Sequence, residues 1–182
     1  MLDFGGRPLI QQVLTRLDSL AEETILTTNH LEGYRFLGLP LFPDVIPDRG
    51  ALGGLYTALV AAAHPLVAVV ACDMPFASAK LFAACRDLLL ADPCIDAVIP
   101  STDEGLEPLH AVYRKATCLP AVKAAIEADQ WKLISWHREV NVHVLTPEEV
   151  APLDPEGMAF SNINTPEELA AAIQRFGDSR TR

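Results

Sequence analysis

The sequence predicts an α/β domain in which helices cover both faces of a mostly parallel β-sheet. One observation is the run Leu-Val-Ala-Val-Val-Ala at residues 66–71, which is apolar on both faces, as in a strand buried inside a parallel sheet. A second observation is that segments with apolar residues at helical spacing alternate along the chain with short β-rich runs. Such alternation is typical of strand–helix–strand units, which place parallel strands side by side.

In the first half of the chain, a helix is predicted to begin at Pro8, because proline suits the first turn of a helix. A β-rich run follows at residues 24–28. Glycines and prolines interrupt residues 31–50, which predicts a weak helix or turn, a short extended piece and a loop. A helix of small residues is expected over 54–63. The apolar residues of the first helix recur at helical spacing, at Leu9, Ile10, Val13, Leu14, Leu17 and Leu20.

The second half of the chain begins with the strand at 66–71 and continues with the same alternation. The chain is expected to be extended over 159–164 before a last helix. Thr165 as N-cap, Pro166 in the first turn and Glu168 three residues after the cap form a capping-box pattern. Between these ends, helices are predicted at 78–90 and 118–129, and strands at 97–100, 109–113 and 140–145.

The chain is predicted to form one domain over residues 1–176, followed by a disordered tail at 177–182. Its 182 residues are within the usual size range of a single domain. No internal repeat and no long linker divides the sequence.

Charge and cysteine content argue against several classes of protein. With 24 acidic and 14 basic residues, the formal charge of −10 disfavours both sequence-independent nucleic-acid binding and a polybasic membrane contact. The four cysteines show neither a C-x-x-C pair nor zinc-type spacing, so we expect reduced thiols in a cytoplasmic protein. The N-terminal residues do not form a signal peptide, and the longest apolar stretch is too short to span a bilayer.

Asp73 is the first candidate for a functional side chain. It follows the strand predicted at 66–71, and open α/β sheets bind ligands beyond the carboxyl ends of their strands. Pro75 prevents a helix from beginning immediately after Asp73 and keeps this turn extended. A carboxylate in this place is suited to Mg²⁺, which takes one or two carboxylates together with substrate phosphates. The alternative interpretation is that Asp73 only caps the helix that follows.

Residues 43–54 are the second candidate. Their glycines allow the backbone to approach a ligand closely, and they precede a helix whose N-terminal amides attract anions. Asp44 and Asp48 are suited to accept hydrogen bonds from a base or a ribose, and Arg49 is suited to contact a phosphate. The alternative is a plain loop in which the glycines serve only the turn.

The remaining polar candidates are asparagines and a histidine. Asn162 and Asn164 alternate at the end of the last extended segment, where a polar ligand-facing surface is predicted. His110 lies in a β run and is expected either to face a substrate or to pack. The other histidines are dispersed without zinc-type spacing, and no Ser or Cys stands in a nucleophile motif, so covalent catalysis is not predicted.

Six segments together resemble the nucleotidyltransferase family that contains molybdenum cofactor guanylyltransferase. They occur in the family's order and span nearly the whole chain. PLHAVYR and NINTPEEL favour the molybdopterin branch over the branches that act on sugar phosphates or isoprenoid precursors. The six segments are FGGRPLIQQVL at 4–14, LTTNH at 26–30, PDVIPDRGALGGL at 43–55, VVACDMPF at 69–76, EPLHAVYR at 107–114 and SNINTPEELAAA at 161–172.

The resemblance implies a three-layer, Rossmann-like domain that binds Mg²⁺ and GTP. Members transfer GMP to the terminal phosphate of molybdenum-bound molybdopterin and release pyrophosphate, which requires positioning and a metal rather than a protein nucleophile. The resemblance further implies that Asn29 and Asp44 contact the guanine nucleotide and that Asp73 is the catalytic residue that holds Mg²⁺ and nucleotide. Other residues expected near the active site are Asp48, Arg49, His110, Asn162 and Asn164.

The sequence departs from the family at its beginning. Family members open with a strand and a glycine-rich loop of the form LAGG-x-S-x-R-M-G, followed by a lysine. Here the first residues already match the segment after that loop, and Gly5 and Gly6 lie at the later position. The departure implies that the first strand and the phosphate-binding loop are missing, which would leave the neighbouring strands with unpaired edges.

Two interpretations of this departure are open. Either the sequence is part of a longer family member, or the short form is a non-catalytic protein that binds the cofactor or takes part in molybdoenzyme maturation. Little transfer activity is expected of these 182 residues alone. Within the enzyme interpretation, a CTP-dependent molybdopterin cytidylyltransferase is the alternative to the GTP-dependent enzyme. The expected partners are GTP and molybdopterin, with molybdoenzyme maturation proteins as further candidates, and neither nucleic acid nor membrane.

Overall fold

Helices and strands alternate along most of the chain, as the sequence predicts. The computed structural model describes residues 8–165, 167, 168, 170 and 171. The helices are α1 (Leu9–Leu17), α2 (Leu31–Tyr34), α3 (Gly50–Ala61), α4 (Ala79–Ala91), α5 (Lys115–Glu127) and α6 (Pro147–Val150). The strands are β1 (Leu26–Thr27), β2 (Leu41–Phe42), β3 (Leu66–Val70), β4 (Ala97–Thr102), β5 (Gly105–Leu106), β6 (His110–Arg114) and β7 (Val142–Leu145). Two short 3-10 helices lie at Arg35–Leu37 and His137–Glu139.

The described strands form two sheets. β1 and β2 pair in parallel, and the larger sheet has the order β3-β6-β4-β5, with β7 also paired to β4. β6 runs antiparallel to β3 and to β4, β5 is antiparallel to β4, and only β7 is parallel to it among the described strands. The α/β class is therefore confirmed, but the expectation of a mostly parallel sheet is wrong for the larger sheet. The reason is that β6 lies between β3 and β4 and opposes both.

β1 and β3 run in the same direction although they belong to different sheets. The backbone N–H of Ala63, just after α3, donates to the Glu23 carboxylate at 2.8 Å, so the chain entering β1 lies beside the C-terminal end of α3. β3 also begins at that end. At the N-terminal half of α3, Gly54 lies near the Thr27 hydroxyl at the end of β1. The carboxyl ends of β1, β2 and β3 therefore share one edge, which we call the carboxyl edge.

Two hydrophobic clusters cover the two faces of the larger sheet and make three layers. In one cluster, α3 and α5 pack against sheet residues such as Val67 and Tyr113. In the other, α4 and the segment around α6 pack against Val98 and Val112. Neighbouring residues of β6 enter opposite clusters, as the alternation of side chains along a strand requires. The predicted three-layer arrangement is confirmed.

Several boundaries differ from the predicted ones. α3 begins at Gly50 rather than at 54, because Leu52 in its first turn is fully buried and the packing overrides the glycines. β5, which forms a hairpin with β4, and α6, which begins with a capping box at Thr146, were not predicted. Residues 159–160 lie in a turn rather than in the expected extended segment.

The capping box predicted at the start of the last helix is present. The Glu168 N–H donates to the Thr165 hydroxyl at 3.1 Å, and the Glu168 carboxylate accepts from the Thr165 N–H at 3.0 Å. Pro166 and the tail expected at 177–182 lie outside the described residues. No helix in the described part of the chain is long and apolar enough to cross a bilayer.

A cavity of about 520 Å³ separates β1 from β3. Aliphatic side chains of α1, β1, α3 and β3 form part of its lining, together with residues 20–25 ahead of β1. No described strand lies in this space, so β1 pairs only with β2 and β3 pairs only with β6 among the described strands.

Thr57 joins α3 to the loop that follows β2. The fully buried Thr57 hydroxyl donates to the Gly53 carbonyl at 2.9 Å and accepts from the Val45 N–H at 3.0 Å. We expect Thr57→Val to lower the free energy of unfolding by about 1–3 kcal/mol, because the Val45 N–H loses this acceptor while the side-chain shape is kept. Urea denaturation measures the change.

Thr57→Ser is the matched control, because it keeps the hydroxyl and removes one methyl group. We expect it to cost about 1 kcal/mol. A loss of stability that is no larger in Thr57→Val than in Thr57→Ser would show that this hydrogen bond does not hold the loop.

Candidate active site

Asp73 lies at the carboxyl edge, three residues beyond the last residue of β3. Its Oδ1 atom is buried and has no hydrogen-bond partner within the part of the chain that the structure describes. A buried carboxylate oxygen without a partner is costly, and a bound cation is one way to offset that cost. The described residues contain no group of three or more His, Cys, Asp or Glu that could hold a metal. The Asp73 carboxylate is a group that could hold Mg²⁺, which uses one or two protein carboxylates and completes its shell with phosphates and water.

Asn162 and Asn164 lie beside Asp73. Between them, Ile163 is buried, and its backbone N–H donates to the Asp73 carbonyl at 2.8 Å. Both asparagines are exposed, since they alternate with the buried isoleucine. The Asn164 N–H in turn donates to the Glu168 carboxylate at 2.7 Å, so the capping box of the last helix also fixes this segment. The structure thus brings together two site segments that are about 90 residues apart in the sequence.

Asn29 and Asp44 form a second group at the carboxyl edge. The Asn29 side-chain amide donates to the Asp44 carboxylate at 2.8 Å, and the Asp44 backbone N–H donates to the Asn29 side-chain oxygen at 2.9 Å. They meet because Asn29 follows β1 and Asp44 follows β2, and these strands pair in parallel. Burial raises the pKa of Tyr34 on α2, and negative charge on the nearby Cys72, when its thiol is ionised, raises the same pKa further. The helix that follows Asn29 therefore comes close to the end of β3.

Arg49 does not extend freely toward a ligand. Its guanidinium group forms an ion pair with Asp129 at 2.5 Å and lies over the Trp131 ring at 4.8 Å from the centroid. Asp48 before it and Gly50 after it both have positive φ, 59° and 53°, which turns the chain sharply into α3. In this arrangement Arg49 would have to leave Asp129 to contact a phosphate, and Asp48 is exposed in the turn.

His110 packs in the interior. Its side chain is fully buried, stacks on Phe82 with 4.0 Å between ring centroids and meets the Phe160 ring edge-on at 5.2 Å. Its Nε2 atom accepts a hydrogen bond from the Ser78 N–H at 3.0 Å. Packing, one of the two predicted alternatives, is what the structure shows. Through its hydrogen bond to Ser78, His110 supports the turn that contains Asp73.

No pattern in the sequence indicated the contacts made by Asp129, Trp131 and Ile163. Arg49 and Asp129 are 80 residues apart, and no local motif links them. Ile163 is the apolar residue between two asparagines, and this alternation was the one available signal that it points inward. The role of its backbone N–H could be found only from the tertiary structure.

The burial of His110 makes stability depend on pH. Burial lowers its pKa from 6.5 to about 4, so the folded chain takes up this proton only well below the pH at which the unfolded chain does. As the pH falls through this window, proton uptake favours the unfolded state. We expect the free energy of unfolding to fall by roughly 3 kcal/mol from this group between pH 6.5 and pH 4. Denaturant unfolding at a series of pH values measures this loss.

His110→Gln is the matched variant, because glutamine keeps a hydrogen-bond acceptor and does not titrate. Its stability should be less steep in pH than that of the natural chain over the same window. Identical slopes for the two proteins would mean that His110 titrates normally in the folded state.

Comparison with known proteins agrees with this geometry. The model of the MobA-like NTP transferase domain matches residues 1–141. A probable molybdenum cofactor guanylyltransferase of Pelotomaculum thermopropionicum is 33% identical over 181 residues, which cover 100% of this chain and 86% of that protein. A molybdenum cofactor guanylyltransferase of Desulfosudis oleivorans is 29% identical over 172 residues, covering 94% of this chain and 83% of that protein.

Solved structures show the same fold. The crystal structure of molybdopterin-guanine dinucleotide biosynthesis protein A from Archaeoglobus fulgidus has a TM-score of 0.80 and 25% identity, and the match covers 97% of this chain and 89% of that one. The 2-C-methyl-D-erythritol 4-phosphate cytidylyltransferase of Thermus thermophilus matches with a TM-score of 0.68 at 18% identity, covering 94% and 90% of the two chains, and shares the fold. With its family model matched over most of its length, the chain belongs to the MobA-like NTP transferase family and is a nucleotidyltransferase.

Proposed function

We propose that the chain transfers GMP from GTP to molybdenum-bound molybdopterin, which forms the guanine dinucleotide cofactor and pyrophosphate. The observation that carries the proposal is the buried, unpartnered Oδ1 of Asp73, within the described part of the chain, next to the Asn162–Asn164 segment at the carboxyl edge. The names of relatives such as the Pelotomaculum protein support the same reaction. The four cysteines are free thiols, which is consistent with a protein that acts in the reducing environment of the cytoplasm.

Asp73 is the residue that would hold Mg²⁺. The metal, when bound, would neutralise negative charge on the nucleotide phosphates. The formal charge of −10 disfavours the approach of a triphosphate, and a bound cation would reduce this repulsion. The buried Oδ1 of Asp73 supplies one ligand, and Ile163 holds the Asp73 backbone in place.

Asn29 and Asp44 are suited to bind the nucleoside. Their mutual hydrogen bonds fix both side chains at the ends of adjacent strands, so that little conformational freedom is lost when a ligand binds. A carboxylate accepts hydrogen bonds from guanine N–H groups or from ribose hydroxyls. Asn162 and Asn164 flank the residue that binds the Asp73 carbonyl, where the acceptor phosphate would approach. No step requires a nucleophile from the protein.

We expect the chain to bind GTP in a Mg²⁺-dependent manner, and Asp73→Asn to weaken that binding by about tenfold or more, or ~1.4 kcal/mol. Asparagine keeps the shape of the side chain but removes the charge that attracts the cation. Isothermal titration of GTP with and without MgCl₂ measures both effects. Asp87→Asn, an exposed change on α4, is the control and should leave the affinity unchanged. GTP binding that does not depend on Mg²⁺ would overturn the assignment of Asp73. Equal GTP affinities of Asp73→Asn and Asp87→Asn would overturn it as well.

The choice of base is tested by competition. We expect excess CTP to displace GTP poorly, since Asp44 can accept two hydrogen bonds from the N1 and N2 groups of guanine, which cytosine lacks. Radiolabelled GTP retained on the chain at increasing CTP concentration measures this preference. Equal displacement by CTP and by unlabelled GTP would contradict a guanine-specific enzyme.

A further inference from the structure

Two aspartates with strained backbone adjoin Arg49. In the described part of the chain, Asp48 and Asp129 are the non-glycine residues with positive φ, at 59° and 55°. Asp48 precedes Arg49 in the turn into α3, and Asp129 follows the C-terminal end of α5. A left-handed backbone costs free energy in residues that have a side chain, and it persists only where the surrounding structure holds it. The contacts around Arg49 are therefore expected to hold both turns.

Arg49 contacts both of these turns. Its backbone is fixed to α3, because the Arg49 carbonyl accepts from the Gly53 N–H at 3.2 Å. A Cβ atom at Gly53 would lie only 3.0 Å from the Arg49 Cβ atom, so α3 and Arg49 pack closely. The Arg49 guanidinium pairs with the Asp129 carboxylate at 2.5 Å and lies over the Trp131 ring at 4.8 Å from its centroid. We call Arg49, Asp129 and Trp131 the Arg49 clamp.

The Arg49 clamp differs from an ordinary surface ion pair. The Arg49 side chain is only 22% exposed, although that of Asp129 is 74% exposed. On α4, by comparison, Arg86 is 46% exposed and pairs with its sequence neighbour Asp87. Exposed pairs contribute little to stability because water screens their charges. Arg49 is held by a carboxylate and by an aromatic face, which suits a planar guanidinium group. The clamp thus joins the N-terminal end of α3 to the segment that follows α5.

The loop between Asp44 and Arg49 is held at both ends. At its beginning, the Asp44 N–H donates to the Asn29 side-chain oxygen at 2.9 Å, and the Val45 N–H donates to the Thr57 hydroxyl at 3.0 Å. At its end, the Arg49 clamp holds the turn into α3. Only three residues separate Val45 from Arg49, so a shift at the end of the loop is transmitted to its beginning. Arg49 therefore helps to fix the place of the Asp44 carboxylate.

A different role for Arg49 is that of a phosphate ligand which Asp129 holds away from the nucleotide. This role requires the guanidinium to leave both of its contacts. It also leaves the strain at Asp48 and Asp129 without a cause, because a side chain that moves to a ligand does not need strained turns at its contacts. The two roles predict opposite effects of removing the Asp129 charge. A competing contact weakens nucleotide binding, whereas a holding contact strengthens it.

We propose that Arg49 is a positioning residue for the nucleotide: through Asp129 and Trp131 it holds the loop of Asp44 in the conformation that binds the nucleoside. A loop that is already ordered loses less conformational freedom when the ligand binds, so the affinity is higher. In this role Arg49 itself does not contact the nucleotide. The inference rests on the proposed function for the identity of the ligand, whereas the holding of the loop depends on the protein contacts alone.

The first test compares GTP affinities by isothermal titration in the presence of MgCl₂. We expect Arg49→Ala to weaken binding by about tenfold. Asp129→Asn should weaken it by a smaller factor, because the contact between Arg49 and Trp131 remains. Arg86→Ala removes an exposed arginine and its ion pair, so it is the matched control and should leave the affinity unchanged. Tighter GTP binding by Asp129→Asn, or equal affinities of Arg49→Ala and Arg86→Ala, would overturn the proposal.

A second variant separates positioning from a general loss of stability. Asp48→Gly permits positive φ without the cost that a side chain brings. In the Arg49→Ala background we expect it to restore GTP affinity by about threefold, because the turn then keeps its conformation without the clamp. A general loss of stability would not be restored in this way, since a glycine adds conformational freedom to the unfolded chain. No recovery of affinity therefore contradicts the proposal.

A third measurement does not require a nucleotide. Hydrogen exchange of the backbone amides, followed by nuclear magnetic resonance, should be about tenfold faster at Val45 in Arg49→Ala than in the natural chain. The Val112 amide on β6 is the internal reference and should not change. Unchanged exchange at Val45 overturns the proposal whether or not GTP binds. Faster exchange at Val45, together with no Mg²⁺-dependent GTP binding by the natural chain, would support the holding of the loop by Arg49 and contradict the proposed reaction.

Discussion

The antiparallel pairing of β3 with β6 is the interaction on which the geometry of the candidate site depends. It places Val70 opposite His110 at the point where β3 ends, so that the imidazole lies directly behind the turn that follows. The Ser78 N–H donates a hydrogen bond to the His110 Nε2 atom. This bond fixes the turn that contains Asp73 on its buried side. Without that pairing, the turn would lose this support and depend mainly on its own short backbone hydrogen bonds.

The Asp73 segment and the Asn162–Asn164 segment are held by a backbone interaction rather than by their functional side chains, whereas Asn29 and Asp44 hold each other through their side chains. Ile163 binds the Asp73 carbonyl, and Thr57 holds the loop of Asp44 through the Val45 N–H. The side chains of Asp73, Asn162 and Asn164 are consequently available to a ligand. This division is what a ligand site requires, because groups already satisfied within the protein bind a ligand only after those bonds are broken. Arg49 is the counterexample, since Asp129 and Trp131 already engage it.

The cavity between β1 and β3 extends to the candidate site. Cys72, the residue before Asp73, lines this cavity, and Tyr34 near it belongs to the helix that follows Asn29.

The sequence by itself determined the α/β class, the order of most elements and the candidates Asp73, Asn29, Asp44, Asn162 and Asn164. These depend on local patterns: apolar periodicity, strand-end position, capping residues and motifs that extend over a few residues. Only the tertiary structure decided that β6 is inserted antiparallel, that His110 is buried and that Arg49 pairs with Asp129. Each of these depends on contacts between residues far apart in the chain, which no local pattern encodes. The sequence of β3 predicts neighbours on both sides, and among the described strands β3 pairs with β6.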